Sequence, residues 1–370
     1  MREEEQVAQP DEAAPGRPSR RRLLVSVLLA VAVVAAVYLG LLPKLVDVGQ
    51  VWATLRAMTW LELVTLVAAA VWNLGSYLLP QLAATPGLSL RQAALESHAS
   101  TAVGNLLPAG QAVGLGVTYR FYTSYGLDRG PIALSLLVQG VWNNFAKLGM
   151  PIVALGLLVV SGDTSGDLAP AAVVGLVVFV LALAGFAFGL SGERRAARLG
   201  GALATGVARL RRLVRRPGRP DWDRGAVAFR AQAITLLRGR WHWLTLTTLV
   251  SHLSLFLVLL LALRHVGVSE SEVSWVEALA AFALVRLLSA IPLTPGGLGV
   301  VELGLAAALV LAGGEEAQVV AAVLVFRLLT FLLPIPIGAL TWWLWHRGTW
   351  YGSERSVVAG EERGWAGRRS

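Results

Sequence analysis

The sequence contains no cysteine among its 370 residues. Disulfide bonds, a cysteine nucleophile and thiolate-bound metals are therefore excluded. Histidine and carboxylate residues show no spacing typical of a metal site, and no serine, histidine and aspartate set typical of a hydrolase is recognisable. The motif Gly-x-x-x-x-Gly-Lys-Ser/Thr is also absent, so direct use of ATP is not expected. We predict no catalytic set, no metal and no cofactor.

Charged residues are scarce as well. They make up 15% of the chain, whereas 55% of the residues are hydrophobic and the mean hydropathy is +0.63. A typical soluble domain has about 25% charged residues. A water-soluble particle of this size could not cover its surface with so few polar groups. The composition predicts an all-α integral membrane protein with several spans.

Six apolar runs are each long enough to cross a bilayer. The first, residues 23–42, is too long for the apolar region of a signal peptide, and no small-residue cleavage site follows it, so we expect a retained span. The six predicted full spans cover residues 23–42, 60–83, 132–160, 170–190, 241–263 and 319–345. Two further regions, 92–122 and 276–311, are interrupted by proline and glycine. Each is predicted to be a broken or re-entrant helical hairpin.

Lysine and arginine residues concentrate at both ends of the chain and in a central segment, residues 193–240. Because cytoplasmic loops carry an excess of these residues, both termini and the central segment are predicted to be cytoplasmic. The loop 161–169 contains Asp163 and Asp167 but no basic residue, and it is predicted to face outward. The basic segment is expected to attract anionic lipid headgroups and not nucleic acid. We expect a multi-pass protein of the cell (plasma) membrane.

The two interrupted regions resemble each other under a single offset. It places Pro108 on Pro295 and Gly110 on Gly297, and it aligns the turn after residue 125 with the turn after residue 312. The span starting near residue 132 then matches the one starting near residue 319. This pattern indicates an internal duplication, although chance similarity between glycine- and proline-rich apolar segments would look the same.

Counting spans from a cytoplasmic N-terminus places the two interrupted regions on opposite sides of the membrane. The halves would then be inverted repeats, an arrangement common in transporters because two related halves can rock about a central site. The predicted organisation is a cytoplasmic tail at 1–22, a first membrane half at 23–160, a second membrane half at 161–345 with the basic cytoplasmic linker 193–240, and a cytoplasmic tail at 346–370.

Ionisable residues within the membrane segments are few, and each costs about 2.5–3.5 kcal/mol at the bilayer centre. Such residues usually face a cavity or a partner. Arg286 and Arg327 are predicted to contact a lipid phosphate, to form ion pairs with Glu302 or Glu277, or to extend their charged groups to the membrane interface. The sequence leaves these possibilities open.

Segment 292–302 is the most informative part of the sequence. Its prolines and glycines disfavour a continuous helix, and amides freed at membrane depth need a partner. A helix starting after Gly299 would offer its N-terminal amides to a phosphate group, with segment 105–114 as its counterpart. A kinked packing helix without a ligand is the alternative. The predicted substrate-binding residues are Asn105, Pro108, Gly110, Arg120, Lys147, Arg286, Pro295, Gly296, Gly297, Gly299, Glu302 and Arg327.

Three motifs carry a resemblance to a known family. They are Asn-Leu-Leu-Pro-Ala-Gly at 105–110, Pro-Gly-Gly-Leu-Gly-Val-Val-Glu at 295–302, and Phe-Arg at 326–327 followed by Leu-Pro-Ile-Pro-Ile-Gly at 333–338. With these motifs the chain resembles the flippase-like membrane domain of bacterial lysylphosphatidylglycerol synthases over residues 23–345. The resemblance implies that the protein handles charged or glycosylated lipids.

The chain departs from that family in two places. Only a short tail follows Trp350, so we expect no soluble aminoacyl-transferase domain, and the resemblance does not imply synthase activity. Where many relatives carry a Gly-Glu pair in the first half, this sequence has Gln111-Ala-Val-Gly114. No role of that acidic residue is carried over.

The leading functional hypothesis is a membrane transporter or flippase that moves a phospholipid or polyprenyl-linked lipid with an anionic headgroup. One alternative is a membrane-embedded lipid-modifying enzyme in which Glu302 acts as acid or base. The other is a non-catalytic partner in the synthesis of cell-envelope lipids or glycans. The transporter is favoured over the enzyme because no transferase domain is expected.

Overall fold

A computed structural model describes residues 56–107, 110–162, 168–195, 222–289 and 294–347, together with residues 49, 53, 197, 198, 201, 202, 204, 205 and 208. Regular secondary structure in these residues is helical, without a β-strand. The predicted all-α class is therefore confirmed. The predicted span 23–42, Pro108 and the acidic loop residues Asp163 and Asp167 lie outside the described residues.

Eleven α-helices are described here, with two short helical segments of other types. The helices are α1 (Trp60–Ser76), α2 (Leu78–Ala84), α3 (Leu90–Leu106), α4 (Gly110–Ser124), α5 (Arg129–Ser161), α6 (Leu168–Leu190), α7 (Trp222–Val266), α8 (Trp275–Leu288), α9 (Val300–Leu311), α10 (Glu316–Arg327) and α11 (Pro334–His346). A 3₁₀ turn (Pro295–Gly297) precedes α9, and a π-helical segment (Leu328–Leu332) joins α10 to α11.

Five helical segments in the described part of the chain are long and apolar enough to cross a membrane. They are Trp60–Ala84, Arg129–Ser161, Val173–Leu190, Phe229–Val266 and Glu316–His346. These segments coincide with five of the six predicted spans. None of the apolar residues of Val173–Leu190 is buried inside the protein, which is the exposure expected of a helix solvated by lipid.

The helix starts follow from local hydrogen bonding. Thr59 and Glu62 form a reciprocal capping box at the start of α1, and Ser89 and Gln92 form one at the start of α3. Ser274 and Glu277 do the same at α8. Each box satisfies backbone N–H groups that a helix N-terminus would otherwise leave unpaired.

Both predicted interrupted regions contain separate helices. In the first, Leu107 has an extended backbone and ends α3. A Cβ atom at Gly110 would lie 2.2 Å from the carbonyl oxygen of Gly104, so only glycine allows α4 to return this close to α3. In the second region, Gly296 and Gly299 have φ angles of +55° and +80°, which residues with a side chain rarely adopt.

The helix boundaries repeat between the two halves. Helices α4 and α9 end at residues 124 and 311, and α5 and α10 begin at residues 129 and 316, so both pairs are separated by 187 residues (311 − 124 and 316 − 129). Contacts between the halves are exchanged, because α5 lies against α8 and α11 lies against α3. Contacts within the halves also correspond, because α2 lies against α5 and α7 lies against α10. Such exchanged contacts are expected of two related halves, and their inverted orientation remains a prediction.

The crossing of α3 and α11 depends on Gly338. A Cβ atom there would lie 2.2 Å from the carbonyl oxygen of His98 and 2.3 Å from Cβ of Ala102. We expect Gly338→Ala to destabilise the protein by about 1–3 kcal/mol because the helices must separate, which thermal unfolding in detergent would measure as a lower Tm. Gly140→Ala is the control, since a Cβ at Gly140 meets nothing within 4 Å. Equal Tm values for the two variants would contradict this account of the crossing.

Candidate functional site

A polar cavity of about 530 Å³ lies where the interrupted regions of the two halves meet. Helices α3, α4 and α5 contribute its lining from the first half. Helices α8, α9 and α10, the 3₁₀ turn and the π-helical segment contribute from the second. The cavity is therefore formed at the boundary between the two predicted halves, and a boundary between repeats is the usual position of a substrate site in repeat-built transporters.

Three basic side chains line this cavity. Lys147 comes from α5, Arg286 from α8 and Arg327 from α10. Among the described lining residues there is no aspartate or glutamate. The positive charge therefore comes from both halves. It can be offset only by an acidic residue that is outside the lining and contacts one of the basic side chains.

Arg327 has such a partner. Its Nε donates to Oε1 of Glu302 at 2.7 Å, and its Nη2 donates to the carbonyl oxygen of Gly296 at 3.2 Å. The guanidinium carbon lies 4.3 Å from the ring centroid of Phe331, a cation–π distance. Arg327 and Glu302 are only 6% and 5% exposed. Of the possibilities that the sequence leaves open for Arg327, the structure contains the ion pair.

Glu302 also closes the N-terminus of α9. Its second oxygen, Oε2, accepts the N–H of Gly299 at 2.8 Å. The sequence predicts that the amides of this helix N-terminus are available to a phosphate group. The carboxylate of its own first turn reaches back and takes one of them, the Gly299 N–H, and a phosphate contact with the others remains a prediction. Glu302 therefore positions Arg327 and caps a helix, and both of its oxygens are bonded.

The other two basic groups of the cavity have no such compensation. The Nε atom of Arg286 is buried and has no hydrogen-bond partner in the described structure. Glu277, its possible partner from the sequence, instead accepts bonds from the N–H and hydroxyl of Ser274, both at 2.8 Å. Lys147 is half-buried and forms no ion pair with a described residue. Two cationic side chains thus face the cavity without an acidic neighbour.

The two halves are tied together beside the cavity. Nδ2 of Asn105, at the end of α3, donates to the carbonyl oxygen of Phe331 at 3.1 Å. The ring of Phe331 also lies on the 3₁₀ turn, where a Cβ at Gly296 would approach it to 2.2 Å. A single segment, the π-helical one, therefore contacts both interrupted regions and the Arg327 side chain.

Seven of the twelve predicted site residues line the cavity, namely Asn105, Gly110, Lys147, Arg286, Gly296, Gly297 and Arg327. Gly299 and Glu302, at the start of α9, are not part of the lining. Arg120 does not line it, because this residue is exposed on α4 with its guanidinium 5.6 Å from the ring centroid of Trp345 on α11. Pro295 begins the 3₁₀ turn, and Pro108 lies outside the described residues.

Several neutral polar residues of the lining are missing from the predicted set. They are Tyr77, Thr101, Gln111, Asn143, Asn144, Ser289, Thr294 and Thr330. A hydroxyl residue in an apolar span does not by itself indicate a polar cavity, because its side chain can donate to a carbonyl oxygen of its own helix. Thr330 does so to the carbonyl oxygen of Phe326 at 2.7 Å. Amides such as Asn143 are rarer in an apolar span, and their presence could have been used to find this face of α5.

A comparison with protein families gives one match. Residues 25–338 match the family described as the lysylphosphatidylglycerol synthase TM region. The chain belongs to this family. The resemblance seen in the sequence is therefore confirmed, and the protein is a multi-pass membrane protein of lipid metabolism or transport. No curated protein matches the chain.

In this member of the lysylphosphatidylglycerol synthase TM family, all three motifs that carry the resemblance reach the cavity. Asn105 represents the first motif in the lining, Gly296 the second and Arg327 the third. Residues far apart in the sequence thus meet around one space. The site that follows from the geometry is a cationic, amide-lined cavity between two halves.

Proposed function

We propose that this protein binds the anionic headgroup of a phospholipid or polyprenyl-linked lipid in the cavity and moves it across the cell membrane. The observation that carries the proposal is the pair of uncompensated cations, Lys147 and Arg286, facing one polar cavity. A cation at membrane depth is costly unless it has a partner. An anionic headgroup supplies that partner, and its phosphate suits the planar donors of a guanidinium.

The charge of the cavity also selects against one kind of lipid. Since no carboxylate lines it among the described residues, a headgroup with an added amino group would meet Lys147 and Arg286 without an acidic counterpart. Like charges at close range disfavour binding. We therefore expect phosphatidylglycerol or a lipid-linked phosphate to be preferred over an aminoacylated lipid.

The reciprocal packing of the halves supports movement as well as binding. The elements that hold the two cations, α5 and α8, pack against each other across the boundary between halves. Rocking of one half against the other would open the cavity to one leaflet and then to the other. In this proposal the cavity opens toward the cytoplasm and the outside in turn, with the basic linker on the cytoplasmic side.

Proteoliposomes containing the purified protein test this function. Fluorescent phosphatidylglycerol, phosphatidylcholine and lysyl-phosphatidylglycerol are each placed in both leaflets, and an impermeant quencher reports their exchange. We expect the protein to accelerate exchange of labelled phosphatidylglycerol well above protein-free liposomes and above the other two lipids. Equal rates with and without protein for every lipid would refute the proposal, and a preference for the aminoacylated lipid would refute the charge argument.

Lys147 gives a more specific prediction. Lys147→Met removes one of the two uncompensated charges, so we expect exchange of phosphatidylglycerol to slow by about 5- to 30-fold, the loss of one charge-assisted contact of about 1–2 kcal/mol. Lys147→Arg keeps the charge and should retain most of the rate. If both variants exchange lipid at the wild-type rate, the lysine does not contact the headgroup.

A further inference from the structure

A second buried polar group lies on α3, the helix that also contributes Thr101, Gly104 and Asn105 to the cavity lining. The Glu96 side chain is completely buried, with 0% exposure. Thr101, on the next turn of the same helix, already lines the cavity. Glu96 was not among the residues needed for headgroup binding, and its burial within a membrane domain calls for a separate explanation.

The hydrogen bonds around Glu96 do not provide enough protons for a charged carboxylate. Its Oε1 lies 2.5 Å from the hydroxyl oxygen of Thr118 on α4, and that hydroxyl also lies 3.1 Å from the carbonyl oxygen of Gly114. The hydroxyl has one proton, which it either donates to one of these acceptors or shares between the two. When it donates to Gly114, the short contact with Glu96 is a hydrogen bond only if the carboxyl group carries a proton.

The second oxygen of Glu96 is also unpaired. Oε2 is buried and has no hydrogen-bond partner, and the same is true of Oε1 of Gln81 and the hydroxyl of Tyr122. The side chains of Gln81 and Ser100 lie near the carboxyl group and carry hydrogen-bond donors, but neither bonds to Oε2, and the Ser100 hydroxyl donates to the carbonyl oxygen of Ser97 at 3.1 Å. No lysine, arginine or histidine of the described residues forms an ion pair with it. A carboxylate buried without a cation costs several kcal/mol, whereas a protonated carboxyl group can donate to a neighbouring oxygen.

The other titratable or charged groups on α3 and on the elements packed against it do not change this picture. Tyr122 on α4 is the one next to Glu96, and it is a neutral hydroxyl. Helix α2 and the 3₁₀ turn contain no titratable residue. The remaining groups on α3, α4 and α11 are Arg91, His98, Tyr119, Arg120 and His346, and none of them forms a described ion pair with Glu96.

We propose that Glu96 is a proton-binding site through which a proton gradient drives movement of the lipid. The carboxylate takes a proton from water in the cavity when the cavity is open to one side and releases it to water on the other side. One proton then accompanies one anionic headgroup, so the pair crosses without net charge. This inference rests on the proposed function, and it adds the energy source.

The test uses the same proteoliposomes with a pH difference of about one unit across the membrane. If one proton moves with each lipid, the ratio of labelled phosphatidylglycerol between leaflets shifts by as much as about tenfold in the wild type. Glu96→Gln has the shape of the protonated carboxyl group and should keep exchange without a gradient, but its leaflet ratio should not respond to pH. Glu316→Gln, the same change at an exposed position of α10, should respond as the wild type does.

Infrared spectroscopy provides a second measurement that does not depend on transport. The wild-type protein should show the band of a protonated buried carboxyl group, and Glu96→Gln should lack it. Wild-type exchange that ignores the gradient, a gradient response that survives in Glu96→Gln, or an absent carboxyl band would each overturn the coupling while the proposed function stands. A wild-type protein that exchanges no labelled lipid under any condition would overturn the proposed function and this inference with it.

Discussion

Arg286→Met is expected to reduce exchange of anionic lipid by at least tenfold without lowering the stability of the protein. The guanidinium lines the cavity, and its Nε is buried without a partner in the described structure. A hydrogen bond between charged groups contributes about 1.5–3 kcal/mol, and a guanidinium can make two to one phosphate. Loss of one such bond alone corresponds to a decrease of about 10- to 150-fold.

The expected stability effect has the opposite sign. Arg286 forms no described ion pair, so its removal breaks none and relieves the burial of an Nε donor without a partner. Thermal unfolding in detergent should therefore give a Tm that is unchanged or higher. Arg347→Met is the matched control, because Arg347 stacks on Trp343 at the exposed end of α11 and does not line the cavity. A lower Tm for Arg286→Met with unchanged exchange would show that the arginine is structural.

Breaking the Glu302–Arg327 pair is expected to have the largest effect on stability. Both side chains are more than nine-tenths buried, and removal of one leaves the other charge unpaired in the interior. Such changes typically cost about 3–5 kcal/mol. Glu302→Leu also removes the acceptor of the Gly299 N–H. Glu302→Leu and Arg327→Met should each lower the Tm clearly and reduce the yield of monodisperse protein.

The double variant, Glu302→Leu with Arg327→Met, tests whether the ion pair serves stability alone or also lipid exchange. With both charges removed, the uncompensated ion disappears, so most of the lost stability should return, and the coupling energy of a double-mutant cycle should be large. Exchange measured on this variant then separates two roles for Arg327. Recovered exchange means that the pair only shapes the 3₁₀ turn, whereas slow exchange by a stable protein means that Arg327 also contacts the headgroup. A double variant no more stable than either single one would contradict the ion-pair account.

Much of the architecture could be predicted from the sequence. The apolar runs from 60–83 to 319–345 became membrane-length helices, because length and hydropathy are local properties that a bilayer selects directly. The interruptions near Gly110 and Gly296 were also predictable. Proline restricts the backbone and glycine allows additional backbone conformations, and neither effect depends on the tertiary structure. The site was predicted less completely: Arg120 is an ionisable residue in a membrane region like the others, yet it stacks on Trp345 outside the cavity.

By itself, then, the sequence determined the class of protein, the position of most spans and the two places where helices break. Only the tertiary structure decided which charges are paired. Glu302 binds Arg327 across 25 residues of chain, and Asn105 binds the Phe331 carbonyl across 226. Hydropathy and backbone preference are properties of one segment and can be read from its sequence. Whether a buried charge is neutralised depends instead on how close two separate segments come in the folded protein. That distance leaves the cations Arg286 and Lys147, and the buried carboxyl group of Glu96, without an ion-pair partner among the described residues.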